Sequence, residues 1–230
     1  MPGMMDSILN IGLNDENVQS LAKAFNDERF ALDSYRRLIQ MYSNVVLGVE
    51  MDRFEAVIAN KKRMDNVTSD ADFNVEQLKW IINAYKNTVE RFTNSPFPQD
   101  PHEQLLGAIE AVFSSWQNKR AITYRKINNI PDSLGTGATI QTMVFGNLND
   151  KSGTGVAFTR NPSNGSKELY GEYLLMHRAK MLLLVSEHLI QLKMMTLLSK
   201  SHWSQNSRMH IKKSKKFHQS SKLTLRMCKI

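Results

Sequence analysis

The chain has 230 residues, enough for one or two domains with a sizeable core. Its formal net charge of +8 suggests a polyanion partner only until it is divided: residues 176–230 carry 12 Lys or Arg against one acid, Glu187, whereas residues 1–175 hold 18 basic and 21 acidic groups. All 11 Gly and all 6 Pro lie before residue 176, so the last quarter has no ordinary loop punctuation and differs in kind from the rest. The lone cysteine, Cys228, excludes an internal disulfide, and MPGMMDSILNIG has neither the basic nor the apolar part of a signal peptide. The most apolar window, 181–185, is far short of the roughly 20 residues of a membrane span. A soluble, cytoplasmic chain with no membrane partner is expected.

In chain order, the first helical pattern runs from residue 16. Val18, Leu21, Ala22, Ala24 and Phe25, then Phe30, Tyr35, Leu38, Ile39 and Tyr42, recur at three- and four-residue spacing, with Asn26 and Asp27 able to break the run in two. A second pattern covers 51–63, with Phe54, Val57 and Ile58. A third covers 75–92 through Leu78, Ile81, Ile82, Tyr85 and Val89. The prolines of SPFPQDP at 95–101 end it, because the residue before each proline is pushed out of the helical region. Asp100 as N-cap, Pro101 at the first helical position and Glu103 as the reciprocal capping partner start the next helix. Leu105, Leu106, Ile109, Val112, Phe113 and Trp116 carry that helix towards Ile127.

Three extended runs follow, at 138–145, 155–159 and 168–174, separated by GNLNDKSGTG and RNPSNGSK, which hold the Gly, Asn, Asp and Pro that reversals need. The fold class is therefore α+β: a helical subdomain over 16–127 beside a small antiparallel sheet over 138–174. In the basic tail, Leu and Met suit a helix over 176–198, and 202–230 is expected to be disordered or poorly packed.

Several residues invite a chemical role. Arg36 and Arg37 sit in DSYRR one turn after Asp33; they form either an ion-paired helix face or a phosphate-binding guanidinium. Lys119, Arg120, Tyr124, Arg125 and Lys126 have the same two alternatives. SGTG at 152–155 and GTG at 135–137 either present backbone N–H groups to a phosphate or make ordinary turns; neither has the spacing of a P-loop. Gln141 and Met143, two apart on an extended run, either line a flat heterocycle or fill cross-strand positions. His102 and the tail histidines lack zinc spacing, so no metal site is expected. The tail's KKSKKFHQSSK offers charge without stacking residues, which excludes specific nucleic-acid recognition and leaves only nonspecific polyanion binding.

The stretches MPGMMDSILNIGLND at 1–15, RFALDSYRRLIQMYSNVV at 29–46, AVFSSWQNKRAITYR at 111–125, QTMVFGN at 141–147, SGTGVAFTRNPSNG at 152–165 and YGEYLL at 170–175 are similar, in this order, to the pyruvate, phosphate dikinase family. The resemblance covers about residues 1–175. It implies the middle of an ATP-grasp nucleotide-binding domain from an enzyme, expected to be a homodimer, that converts ATP, phosphate and pyruvate into AMP, pyrophosphate and phosphoenolpyruvate with Mg²⁺. By position it makes Arg37 a phosphate-holding arginine and puts Gln141, Met143 and Val144 near the adenine. Met5 becomes a further nucleotide contact, and the loop at Gly153 and Gly155 a candidate for the phosphate end. The family's GGKG lysine loop and SVRSG arginine precede the stretch matched here. Its metal-binding acids, Gln-Thr-Arg motif and phospho-histidine domain follow that stretch. The resemblance thus implies a fragment inactive alone, or one that binds ATP beside a separately encoded dikinase fragment; a nonspecific basic interaction protein is the remaining alternative.

The tail has a mechanical explanation. The family continues after YGEYLL with NAQGEDVVAGIRTP, and one legal set of codons for that text, read from its second base, translates as MHRAKMLLLVSEHL, the sequence at 176–189. A one-base change of phase near residue 175 is inferred.

Overall fold

The computed structural model describes residues 5–149, 152–161, 163–168, 170–175 and 190–192, in two compact units, Met1–Ile140 and Gln141–Ile230. In the first unit, asparagines do the work of helix termination. Helix α1 (Asn17–Phe25) closes where Asn26 turns left-handed at φ 52°, and its N–H reaches back to the carbonyls of Ala22 and Lys23. Helices α3 (Met51–Asp65) and α4 (Val75–Thr93) end in the same way on Asn66 and Asn94, both at φ 54°. Asn tolerates this region better than most residues because its short amide finds local partners there. The expected break after α1 is present: Asp27 is extended, and its carboxylate accepts from the N–H of Phe30 at 2.8 Å, starting α2 (Glu28–Val45). At the head of α4, Asn74 and Gln77 exchange side-chain bonds with each other's backbone N–H, closing a capping box.

The apolar stripes meet as their spacing requires. Tyr35, Leu38, Ile39 and Tyr42 of α2 pack with Leu78, Ile81, Ile82, Tyr85 and Val89 of α4, joined by Val18 of α1 and by Phe54 and Ile58 of α3. Phe97, from the proline-rich connection, presses edge-on to Tyr35 and Tyr42 with ring centres 6.3 and 5.7 Å away, and Phe54 meets Tyr85 at 4.9 Å. Each such aromatic pair adds about 0.5–1.5 kcal/mol beyond the area it buries. Arg29 closes the α3–α4 connection, donating its Nε to the Phe73 carbonyl at 2.8 Å and a terminal nitrogen to that of Ala71.

Helix α5 (Pro101–Ser114) begins as the proline predicts, but Asp100 accepts from His102, two residues on, at 3.0 Å, in place of the box expected with Glu103. The single helix expected up to Ile127 is two. A 3-10 turn at Ser115–Gln117 and an extended Asn118 separate α5 from α6 (Lys119–Ile127), because the Ser115 hydroxyl turns back to the Val112 carbonyl at 2.7 Å and diverts the local hydrogen bonding. Gln104, buried on the inner side of α5, accepts from the N–H of Gly12 and donates to the carbonyls of Leu13 and Pro98, fastening the N-terminal loop. The opposite side of α5 is apolar and uncovered, with Leu106 68% and Phe113 47% exposed.

In the second unit, β1 (Gly153–Phe158), β2 (Tyr170–Leu175) and β3 (Ile190–Leu192) form an antiparallel sheet in that order. Gly153 faces Leu175, Phe158 faces Tyr170 and Tyr173 faces Ile190. The β1–β2 reversal uses Gly165 at φ 74°, with Asn161 and Ser166 joined across the turn. Two sequence expectations fail here. Residues 138–145 take part in no ladder among the described residues, so the extended run expected there does not form a strand; Ile140 and Val144 are left largely exposed. The third strand comes instead from Ile190–Leu192, within the stretch expected to be helical: the open edge of β2 supplies backbone pairing that composition does not reveal. The other tail residues, including the expected disordered segment 202–230, lie outside the described residues.

Candidate functional site

Helix α2 puts Asp33 three and four residues before Arg36 and Arg37, so one carboxylate can reach both guanidinium groups. It does. Asp33 Oδ1 accepts from Arg36 Nε at 3.0 Å and Nη2 at 2.8 Å, and Oδ2 accepts from Arg37 Nε at 3.0 Å. The two arginines then diverge. Arg36 is 1% exposed, lies 3.6 Å from Asp70 and donates to Gln40 at 3.3 Å, while Lys62 holds the other oxygen of Asp70 at 2.7 Å. Burial works against the charge of Arg36, but Asp33, Tyr85 and Asp70 outweigh it, and its pKa is raised. Arg37 keeps 40% of its side chain exposed, and among the described residues its bond is to Asp33 through Nε, a bond that does not use its terminal nitrogens. Of the two alternatives posed for DSYRR, Arg36 follows the structural one; Arg37 combines an ion pair with a two-pronged donor face suited to phosphate oxygens.

One buried phenol, Tyr85, borders the network, and a second, Tyr35, lies buried on the same helix as the arginines. Burial raises the pKa of Tyr85 well above its ordinary 10.0, against the pull of Arg36, and the Tyr85 hydroxyl donates to the Phe54 carbonyl at 3.3 Å. Burial likewise raises Tyr35, whose hydroxyl meets Asp15 at 3.0 Å. A pKa higher in the folded than in the unfolded state gives stability that is complete below the unfolded value and lost as pH rises beyond it. The urea midpoint is therefore expected to hold up to pH about 9 and to fall progressively above pH about 10. A midpoint unchanged in strong alkali contradicts this assignment.

The other expected site residues are dispersed. Met5 is half-buried, and its Sδ accepts from the Thr136 hydroxyl at 3.4 Å; beside it, Asp6 meets Ser115, Asn118 and Arg120. The contacts that place Met5 and Arg37 run to different elements of the first unit. Gln141, Met143 and Val144 belong to the second unit; Gln141 and Val144 are exposed and Met143 half-buried. Gly153 and Gly155, expected in a phosphate loop, are ladder residues of β1 opposite Leu175 and Tyr173. Successive N–H groups of a strand point to opposite edges, so the convergent donors of an anion nest do not form there. Arg125, from the second basic run, is spent internally: it pairs with Asp132 at 2.6 Å and lies 4.1 Å over the Trp116 ring. No group of three His, Cys, Asp or Glu able to hold a metal ion occurs among the described residues, and no helix among them is long and apolar enough to cross a membrane.

A helical subdomain with an outward arginine fork, joined in one chain to a small antiparallel sheet, has the make-up of an α+β nucleotide-binding domain. The family described as pyruvate phosphate dikinase, AMP/ATP-binding domain, matches residues 1–174, and the chain belongs to that family. It is 54% identical over 175 residues to the pyruvate, phosphate dikinase of Rhizobium meliloti (strain 1021), covering 76% of this chain and 20% of that protein. Identity is 53% over 176 residues to the Clostridium symbiosum protein of the same name, with the same coverage. It is 50% over 175 residues to the chloroplastic one of Mesembryanthemum crystallinum, again 76% of this chain but 18% of the relative. The chain spans about a fifth of the length of these relatives.

Proposed function

We propose that residues 1–175 are the middle of a dikinase nucleotide-binding domain of the ATP-grasp type that keeps a phosphate-gripping arginine but cannot carry out phosphoryl transfer by itself. The observation that carries this is the extent of the likeness: about half of the residues are identical over 175 positions, yet those positions are only 20% of the Rhizobium relative. In this proposal Arg37 holds nucleotide phosphate oxygens, Met5, Gln141, Met143 and Val144 lie on the nucleotide side, and Gly153 and Gly155 serve the sheet. Phosphoryl transfer needs developing charge to be neutralised by a positioned cation and several donors. The family's lysine loop, second arginine and metal-binding acids fall outside the matched stretch, and the described residues offer no carboxylate cluster for Mg²⁺. The domain division follows: a helical part over 16–127, a sheet-bearing part over 138–174, and a tail over 176–230 written in a shifted frame, whose basic charge is a by-product of phase. A cytoplasmic setting is part of the same proposal, and the relatives do not decide it, since the Mesembryanthemum crystallinum one is chloroplastic.

Purified chain given ATP, phosphate and pyruvate is expected to form no AMP or pyrophosphate above a no-protein control, followed by phosphorus NMR. Enzyme-dependent pyrophosphate contradicts the proposal. One observation favours a second reading, in which the chain works beside a separately encoded dikinase fragment: Leu106 and Phe113, two large apolar side chains on one side of α5, are exposed and offer apolar surface to further protein.

A further inference from the structure

We infer that Asp33 is the positioning residue for Arg37: one of its oxygens is anchored to the buried interior and the other aims the arginine fork at a phosphate oxygen of a polyanionic ligand. The inference rests on the phosphate role proposed for Arg37 and adds what makes that role possible.

The two oxygens of Asp33 divide the labour. Oδ1 takes both bonds from Arg36, whose guanidinium is fixed in turn by Gln40 and by Asp70, itself held by Lys62 from α3. This chain of contacts ties the carboxylate to α3 and the α3–α4 connection as well as to its own helix. Oδ2 is then left in a fixed place, and Arg37 Nε meets it at 3.0 Å. A guanidinium bonded through Nε has lost most of its rotational freedom, and the end-on pair of N–H groups, one from each terminal nitrogen, is not used by that bond. Fixing the fork before binding lowers the ordering cost that a long side chain otherwise meets when it closes on an anion. Asp33 with Arg36 and Arg37 sums to one positive charge and the Lys62 and Asp70 pair adds none, while Glu55, which accepts from Gln40 at 2.8 Å, sets a negative charge on the Arg36 side of the network. The charge stands at the exposed guanidinium, because its partner is buried.

The test uses the full chain, with ATP and inorganic tripolyphosphate as probes in calorimetry. Arg37→Ala is expected to weaken both by about 10- to 100-fold, the loss of a charge-assisted contact. Asp33→Asn, which keeps the shape and removes the charge, is expected to weaken them by about 5- to 10-fold alone and by less than about twofold when Arg37 is already alanine. Arg36→Met, which keeps the carboxylate and leaves no buried arginine unpaired but removes the anchor on Oδ1, is expected to weaken both probes by about 2- to 5-fold, and by less than about twofold when Arg37 is already alanine. If the unsubstituted chain binds neither probe, or Arg37→Ala changes nothing, the phosphate role of Arg37 falls and this inference with it. If Arg37→Ala weakens binding but Asp33→Asn has no effect or acts equally in both Arg37 backgrounds, or if Arg36→Met leaves binding unchanged, the phosphate role survives and the positioning role is overturned.

Discussion

Asp33→Ala is expected to lower the stability of the helical unit by about 3–5 kcal/mol, the usual cost of leaving a buried charge without its main partner. Arg36 is the reason: 1% exposed, it would keep only Asp70 at 3.6 Å as a counter-ion. Arg36→Met should behave differently. It replaces the guanidinium with an apolar chain of similar length, while Asp33 keeps Arg37, and the cost is expected to stay within about 1–2 kcal/mol. Chemical unfolding of the two variants, read by circular dichroism, checks the ordering. If Asp33→Ala proves as mild as Arg36→Met, the carboxylate does not compensate the buried arginine.

The second large effect is expected in the core between α3 and α4. Phe54 is fully buried and edge-on to Tyr85, so Phe54→Ala removes a large side chain from a tightly filled place and should cost about 3–5 kcal/mol. Leu106→Ala, on the uncovered side of α5, should change stability by less than about 0.5 kcal/mol. Both can be read from denaturant midpoints. A costly Leu106→Ala would mean that the apolar side of α5 is covered in solution, which the association reading requires and an isolated fragment does not.

Where the sequence spoke clearly, it spoke through local physics. The apolar spacing in α2 and α4, the break at Asn26 and Asp27, and the proline start of α5 are set by residues within one or two turns, and the helices formed there. DSYRR likewise displays the i, i+3 and i, i+4 spacing that lets Asp33 hold both arginines. Which arginine turns inward was not legible, because the answer comes from Asp70 and Lys62, distant in sequence and brought in by α3 and its connection to α4. The division of α5 from α6 turned on a single serine hydroxyl that competes with the helix. The sheet was the least legible part. Residues 138–145 read as an extended run bounded by turn residues, but a strand exists only through a partner, and the ladder went to Ile190–Leu192 instead. The glycines at 153 and 155 misled for a related reason, since SGTG has the composition of a loop and the register of a strand.

We propose that dikinase-like text gives way to another reading frame at residue 175, so that a piece of a nucleotide-binding domain carries an unrelated tail. Sequencing the DNA that encodes residues 176–189 tests it most directly. Read one base upstream of the frame used here, those codons are expected to spell AQGEDVVAGIRTP or a close variant. Text in that phase bearing no likeness to the family, or interrupted by stop codons within those positions, would contradict the account.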